Sequence, residues 1–182
     1  MESKLERHPN VLLVAGTGRN SGKTTFVTTI CSWFQKDARP ICIKISNHFH
    51  EQVGSLCFAD LSNFRIFEEM QGNSLKDSAR MLKAGASRSF FIEADGEFAY
   101  SAFKFLLNHI PENVPIICES GNLRNYLIPA LFIMLHTNKT EPKPAAVELL
   151  PLADKVLVSE AGSLKIPNNF VSFSNTTWKI NL

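Results

Sequence analysis

The chain has no uninterrupted apolar run of about eighteen residues, so the sequence predicts no transmembrane helix. It has almost no net charge. Its 19 basic and 17 acidic side chains leave a formal +2, too little to argue for a nucleic acid or an anionic membrane as partner. It has no CxxC pair. Cys31, Cys42, Cys57 and Cys118 stand far apart, and three of them lie in apolar stretches, where cysteine acts as a small hydrophobe. No disulfide framework is expected. The first ten residues, MESKLERHPN, are charged and carry no apolar signal-peptide core, so a reduced, cytoplasmic protein is expected. There is no internal repeat and no low-complexity tract. What is present is 182 residues, 45% hydrophobic and 20% charged. That suits one domain over residues 1–182 with a full-sized core, and excludes a wholly disordered chain.

Short apolar runs alternate with helical patterns. Val11–Ala15 reads as a buried parallel strand. After a glycine-rich turn, Lys23–Lys36 reads as a helix with Phe26, Val27, Ile30, Cys31 and Phe34 on one side. Pro40 opens the strand Ile41–Ser46. Residues 47–74 are less regular, with a strand over Phe64–Met70. Ser74–Ala84 reads as a helix, capped by Ser74, with Asp77 in its first turn and Gly85 as its stop. Ser89–Ala94 is a strand and Phe98–Ile110 an amphipathic helix, whose Phe98, Phe103 and Phe105 read as core. Further strands are expected over Ile116–Glu119, Leu131–His136, Asp154–Ser159 and Phe170–Phe173, with at most a short helix in the Pro-rich segment 142–151. This alternation predicts an α/β fold: a P-loop NTPase with a mostly parallel sheet flanked by helices on both faces. Ligands of such sheets bind at the carboxyl ends of the strands.

The strongest motif runs Gly16-Thr17-Gly18-Arg19-Asn20-Ser21-Gly22-Lys23-Thr24-Thr25, between a strand and a helix. That context suits a phosphate-binding loop. Glycines let the backbone turn its N–H groups inward, and the helix N-terminus adds positive partial charge. Lys23 can reach β- and γ-phosphates, the Thr24 hydroxyl can ligate Mg²⁺, and Thr25 can touch the α-phosphate. The pattern GxxxxGK[ST] wants glycine at position 17, where this chain has Thr17 between Gly16 and Gly18. Such a site needs an acid near the metal. Glu119, closing an apolar strand before Ser120-Gly121-Asn122, is preferred for that role, with Asp95 as its rival. Catalytic roles therefore fall on Lys23 and Glu119, and metal contact on Thr24 and Glu119.

Weaker signals surround these. Lys44, His48 and His50 follow the second strand and can face phosphate, metal or solvent. Asp60 and Glu51 are further acids, and Lys76–Arg80 can present polar groups at a helix start. Asn138-Lys139-Thr140-Glu141 echoes a guanine-reading box, with Glu141 in place of aspartate. Arg19 and Arg124 are candidates to neutralise a leaving phosphate.

The shifted glycine and Thr17 resemble the loops of dethiobiotin synthetase and the cobyrinic-acid amide synthetases. A larger set resembles the molybdopterin-guanine dinucleotide biosynthesis adaptor protein B family. It comprises Asn20–Thr25, Ile43-Lys44 with His50, Lys76-Asp77-Ser78-Ala79-Arg80-Met81, Ala84-Gly85-Ala86 and Glu119-Ser120-Gly121. The likeness spans roughly residues 10–160. It implies a GTP-binding, weakly hydrolysing partner of the enzyme that attaches GMP to molybdopterin, with Gly22 to Thr25 on the nucleotide and Glu119 near Mg²⁺. The chain departs from the family's Lys-His pair at Lys44-Ile45, and from its Glu-Gly-(Phe/Tyr)-Lys over Glu119 to Arg124, which displaces that lysine. Proteins of this class often form homodimers, though no interface stands out here.

The expectation is thus a Mg²⁺-dependent GTP- or ATP-binding protein with slow hydrolysis, serving as an adaptor to a molybdenum-cofactor enzyme. No residue offers a convincing base for the attacking water. One alternative is an ATP-dependent ligase of the dethiobiotin-synthetase type, with Lys44 and His48 holding an organic substrate. Another is a non-catalytic interaction module.

Overall fold

A computed structural model describes residues 5–36, 38–47, 54–159 and 164–181. Its centre is an eight-stranded mixed sheet in the order β3-β4-β5-β2-β6-β1-β7-β8. The strands are β1 (Glu6–Gly16), β2 (Ile41–Ser46), β3 (Ser55–Leu61), β4 (Phe64–Glu69), β5 (Arg88–Ala94), β6 (Ile116–Glu119), β7 (Leu127–Thr137) and β8 (Lys155–Ser159). Six of them, from β5 to β8 across the sheet, run parallel. The hairpin β3–β4 adds antiparallel strands at the β5 edge.

The central strands are apolar throughout because both faces are covered. Along β1, Val11, Leu13 and Ala15 pack into one core, and Leu12 and Val14 into the other. The first core holds α3 (Phe98–Leu107) and α4 (Pro144–Leu149); the second holds α1 (Lys23–Trp33) and α2 (Asp77–Lys83). Right-handed crossovers account for this division. The chain moves toward the β3 edge through α1, and back through α3 and α4.

The expected strands and helices are present, with shifted ends. β1 and β7 are longer than their apolar runs, α1 stops at Trp33 and α3 at Leu107. The expected cap Ser74 is corrected. Lys76 takes the extended N-cap position of α2, while the Ser74 hydroxyl accepts the Lys76 N–H at 3.4 Å. Gly85 does end the helix, in a left-handed conformation (φ 111°) where a Cβ would meet the Gln35 side chain at 2.4 Å.

Two elements go beyond the sequence expectations. β3 is an edge strand exposed or half-buried along its length, so it lacks an apolar signature. A second hairpin joins β9 (Val171–Ser174) to β10 (Thr177–Ile180) through Asn175 and Thr176, both at positive φ, as a two-residue turn requires. It covers the α1 face, where the buried Trp178 donates its indole N–H to the Asn10 carbonyl at 2.9 Å. Cys31, Cys42 and Cys118 are free and buried, Cys57 free and exposed. No helix among the described residues is long and apolar enough to cross a membrane.

Candidate functional site

β1 ends at Gly16, and the chain turns into α1 through Thr17–Gly22. The turn is tight. A Cβ at Gly16 would lie 2.2 Å from the Ser21 hydroxyl oxygen. Gly22 enters the helix at φ 91°, and Asn20 also takes positive φ (56°). The N-terminus of α1 has no side-chain cap and no acid in its first turn, which leaves its N–H groups and their positive partial charge directed outward.

Thr17 explains itself structurally. It is fully buried, and its hydroxyl meets His136 Nδ1 at 3.1 Å and accepts the Thr137 N–H at 3.4 Å. Its backbone bonds to Leu135 and Lys143. Thr17 therefore staples the turn to the end of β7. Gly18 lets this staple close, because a Cβ there would meet the Thr140 hydroxyl oxygen at 2.8 Å.

Beyond the turn lies a cavity of about 480 Å³. Arg19, Asn20, Ser21, Gly22, Lys23, Thr24 and Thr25 line it, together with Lys44, Asp77, Arg80 and Glu119. Gly16, Thr17 and Gly18 shape the turn behind this wall and are not part of it. Asp95 is exposed and outside the cavity, as is Asp60 on β3. Arg124 donates to the Leu127 carbonyl at 3.2 Å and does not reach the wall. His48, His50 and Glu51 lie outside the described residues.

Sheet register brings the acid to the turn. Glu119 is the Cα partner of Val14 on one side and of Lys44 on the other. Lys44 and Glu119 emerge side by side on the α1–α2 face, as Cys42 and Ile117, two residues earlier, also do. Their ion pair is a cross-strand contact between neighbouring positions. Glu119 is 1% exposed. Its Oε2 accepts the Thr24 hydroxyl at 3.0 Å, and its Oε1 takes the Lys44 ammonium. Lys44 also reaches Asp77 Oδ2 at 3.2 Å, and Asp77 in turn pairs with Arg80 at 3.5 Å.

The two cavity lysines differ. Lys23 donates to the Gly18 carbonyl at 2.9 Å and the Ser21 hydroxyl at 3.2 Å. It pairs with no carboxylate among the described residues. Burial pushes its ammonium below the ordinary lysine value, more than nearby Glu119 restores. Burial would also depress Lys44, but Glu119 and Asp77 outweigh it and hold that ammonium above its ordinary value.

These donors suit a hard cation such as Mg²⁺. Thr24 gives its proton to Glu119, which leaves its oxygen lone pairs available. Among the described residues no cluster of three or more His, Cys, Asp or Glu can hold a metal. A Mg²⁺ ion here would draw its remaining ligands from water and phosphate, the usual habit of this ion.

A second, shallower concavity of about 390 Å³ is lined by His136 to Pro142 and includes Asn138 and Glu141. Gly18 lies against its Thr140. The expected guanine-reading segment thus stands beside the glycine-rich turn. The sequence marks Lys44 as able to face phosphate, metal or an organic substrate, and Lys76–Arg80 as polar groups at a helix start. It does not show that Lys44, Asp77 and Glu119 meet, nor the Thr17–His136 staple. Thr17, in place of the expected glycine, was the one available hint.

No protein-family model, curated protein or solved structure matches the chain.

Proposed function

We propose that this chain is a P-loop protein that binds a Mg²⁺–nucleoside triphosphate and hydrolyses it slowly. The supporting observation is the convergence of Lys23, the uncapped α1 N-terminus and the Thr24–Glu119 pair on one cavity. Charge agrees with this. Arg19, Lys23, Lys44 and Arg80 against Asp77 and Glu119 leave a formal +2 in the wall. A triphosphate carrying one Mg²⁺ has about the opposite net charge, so electrostatics favours a single such ligand.

The roles follow from position. Loop N–H groups and Lys23 bind the β- and γ-phosphates, and Thr24 and Glu119 hold the metal and its water. The metal, when bound, supplies charge neutralisation at the phosphate oxygens. Hydrolysis is in-line attack of water at the γ-phosphorus. The new O–P bond forms as the bond to the β-γ bridging oxygen breaks, and the water's proton leaves to the phosphate or solvent. Glu119 is committed to the metal and its water, and Asp77 is paired with Lys44 and Arg80, so neither is a free base for that water. Turnover below about 1 s⁻¹ is expected.

The placement of Asn138–Glu141 beside Gly18 favours guanine over adenine, since a carboxylate there can accept hydrogen bonds from guanine N1 and N2. By its resemblance to the adaptor protein B family, the chain serves molybdopterin guanine dinucleotide formation alongside a partner enzyme. An ATP-dependent ligase is the competing reading. It requires room for a second anion, yet Lys44 and Arg80 are already paired with Asp77.

The test is a thermal-shift panel of GTP, ATP and their diphosphates, with and without Mg²⁺. Mg²⁺-dependent stabilisation by a triphosphate, greatest for GTP, is expected. No shift with any nucleotide at millimolar concentration would overturn the proposal. ATP consumption that depends on an added small organic acid would select the ligase.

A further inference from the structure

Lys44 has a place in this cavity that phosphate binding alone does not explain. Glu119 is buried and its two oxygens are divided, one taking the Thr24 hydroxyl and the other the Lys44 ammonium. Lys44 already supplies Glu119 with a cation. A divalent metal ligated by Thr24 needs the same carboxylate. Two cations sharing one buried carboxylate repel, in a region where little water screens them. Lys44 has a second carboxylate, Asp77 Oδ2 at 3.2 Å, at the start of α2 and on the cavity wall. Its side chain can therefore leave Glu119 without losing all compensation.

We propose that Lys44 is a built-in counter-cation of the metal position. It holds Glu119 while no divalent metal is bound and releases it when metal enters with the triphosphate. It stays on Asp77, beside the phosphates. Lys44 is thus a positioning residue, and it opposes the metal at Glu119 while standing in for part of its charge toward the triphosphate. The consequence is a blunted dependence of triphosphate binding on Mg²⁺. This inference rests on the Mg²⁺–triphosphate reading.

The experiment is calorimetric titration of the full chain with GTP and with ATP, in excess EDTA and in excess Mg²⁺. The quantity read is the ratio of the two dissociation constants. In Lys44→Met this ratio should rise about tenfold, because metal-free binding weakens while Mg²⁺-supported binding gains an uncontested Glu119. Glu119→Gln should lower the ratio, because its Lys44 is free to serve the phosphates without metal. Lys44→Arg keeps the cation and should keep the ratio near wild type; it also serves as the folded control if the Met variant does not fold.

Equal weakening of both constants in Lys44→Met would overturn the inference, since Lys44 would then act only as a phosphate ligand. An unchanged ratio in both Lys44→Met and Glu119→Gln would overturn it too. Failure of the wild type to bind either triphosphate in either condition defeats the nucleotide reading itself, and this inference with it.

Discussion

The two sides of the cavity hold their lysines in opposite ways. On the glycine-rich side, Lys23 rests on a carbonyl and a hydroxyl, and burial depresses its pKa. On the β2–α2 side, Lys44 bridges two carboxylates, which raise its pKa despite burial. A buried cation without an anion costs stability, whereas removing one that compensates a buried carboxylate leaves that carboxylate unpaired and is destabilising. The first side holds its cation on neutral oxygens; the second neutralises its own. With Mg²⁺ present, phosphate affinity should therefore reside mainly in Lys23, and fold stability in Lys44.

The sharpest way to break this contrast is Lys23→Met. It should cost triphosphate binding about 3 kcal/mol, as for loss of one preorganised donor to a charged oxygen. The melting temperature should hold or rise, because a poorly compensated buried charge is gone. Calorimetry with and without Mg²⁺, paired with thermal denaturation, reads both. A marked fall in melting temperature would put Lys23 in the structural class and erase the contrast.

Lys44→Met should do the reverse. Glu119 is left buried without its cation, at a cost of about 3–5 kcal/mol, or a melting temperature lower by roughly 6–20 °C. The pH dependence has a definite sign. A raised ammonium pKa in the folded state means that Lys44 contributes fully below the unfolded lysine value of about 10.4. That contribution is lost as pH rises through the higher folded value. The wild-type advantage should therefore be constant from neutral pH to about 10 and shrink above it. Parallel denaturation curves for wild type and variant would show this. An advantage that already shrinks between neutral pH and about 10 would mean that a different group carries it.

Thr17→Val tests whether the turn's rigidity belongs to the glycine-rich side alone. Removing a buried hydroxyl that serves His136 and the Thr137 N–H should cost about 1–2 kcal/mol. Triphosphate affinity should fall only a few-fold, since Thr17 is behind the cavity wall. Equal losses in stability and binding from Val would argue that the hydroxyl itself faces ligand. The smallest effect is expected from Asp77→Asn. Asp77 is about a third exposed, and such pairs contribute about 1 kcal/mol or less. A destabilisation as large as that of Lys44→Met would move the weight of the Lys44 bridge from Glu119 to Asp77.

Much of the fold was legible along the chain. Strands buried on both faces write themselves as apolar runs, and β2 and β6 fall where those runs fall. Helix ends and edge strands were less so. Nothing in Ser55–Leu61 distinguishes an exposed edge strand from a loop, because its backbone pairing with β4 does not demand apolar side chains. Ser74 looked like a cap because serine suits that position, but the chain enters α2 two residues later, at Lys76.

The candidate site divides along the same line. The sequence by itself determined Gly16 to Thr25, because a turn between one strand and the next helix is built from consecutive residues whose glycine spacing and uncapped helix start are local properties. It also marked Glu119 as an acid ending a buried strand. Only the tertiary structure decided what Glu119 meets. Lys44 and Glu119 are 75 residues apart in the chain and become neighbours because β2 and β6 pair in one register, and Thr17 finds His136 because β7 lies on the other side of β1. Register is set by the summed packing of two cores on both faces of the sheet, and a one-residue slip would turn Glu119 to the opposite face. No local stretch of sequence contains that sum.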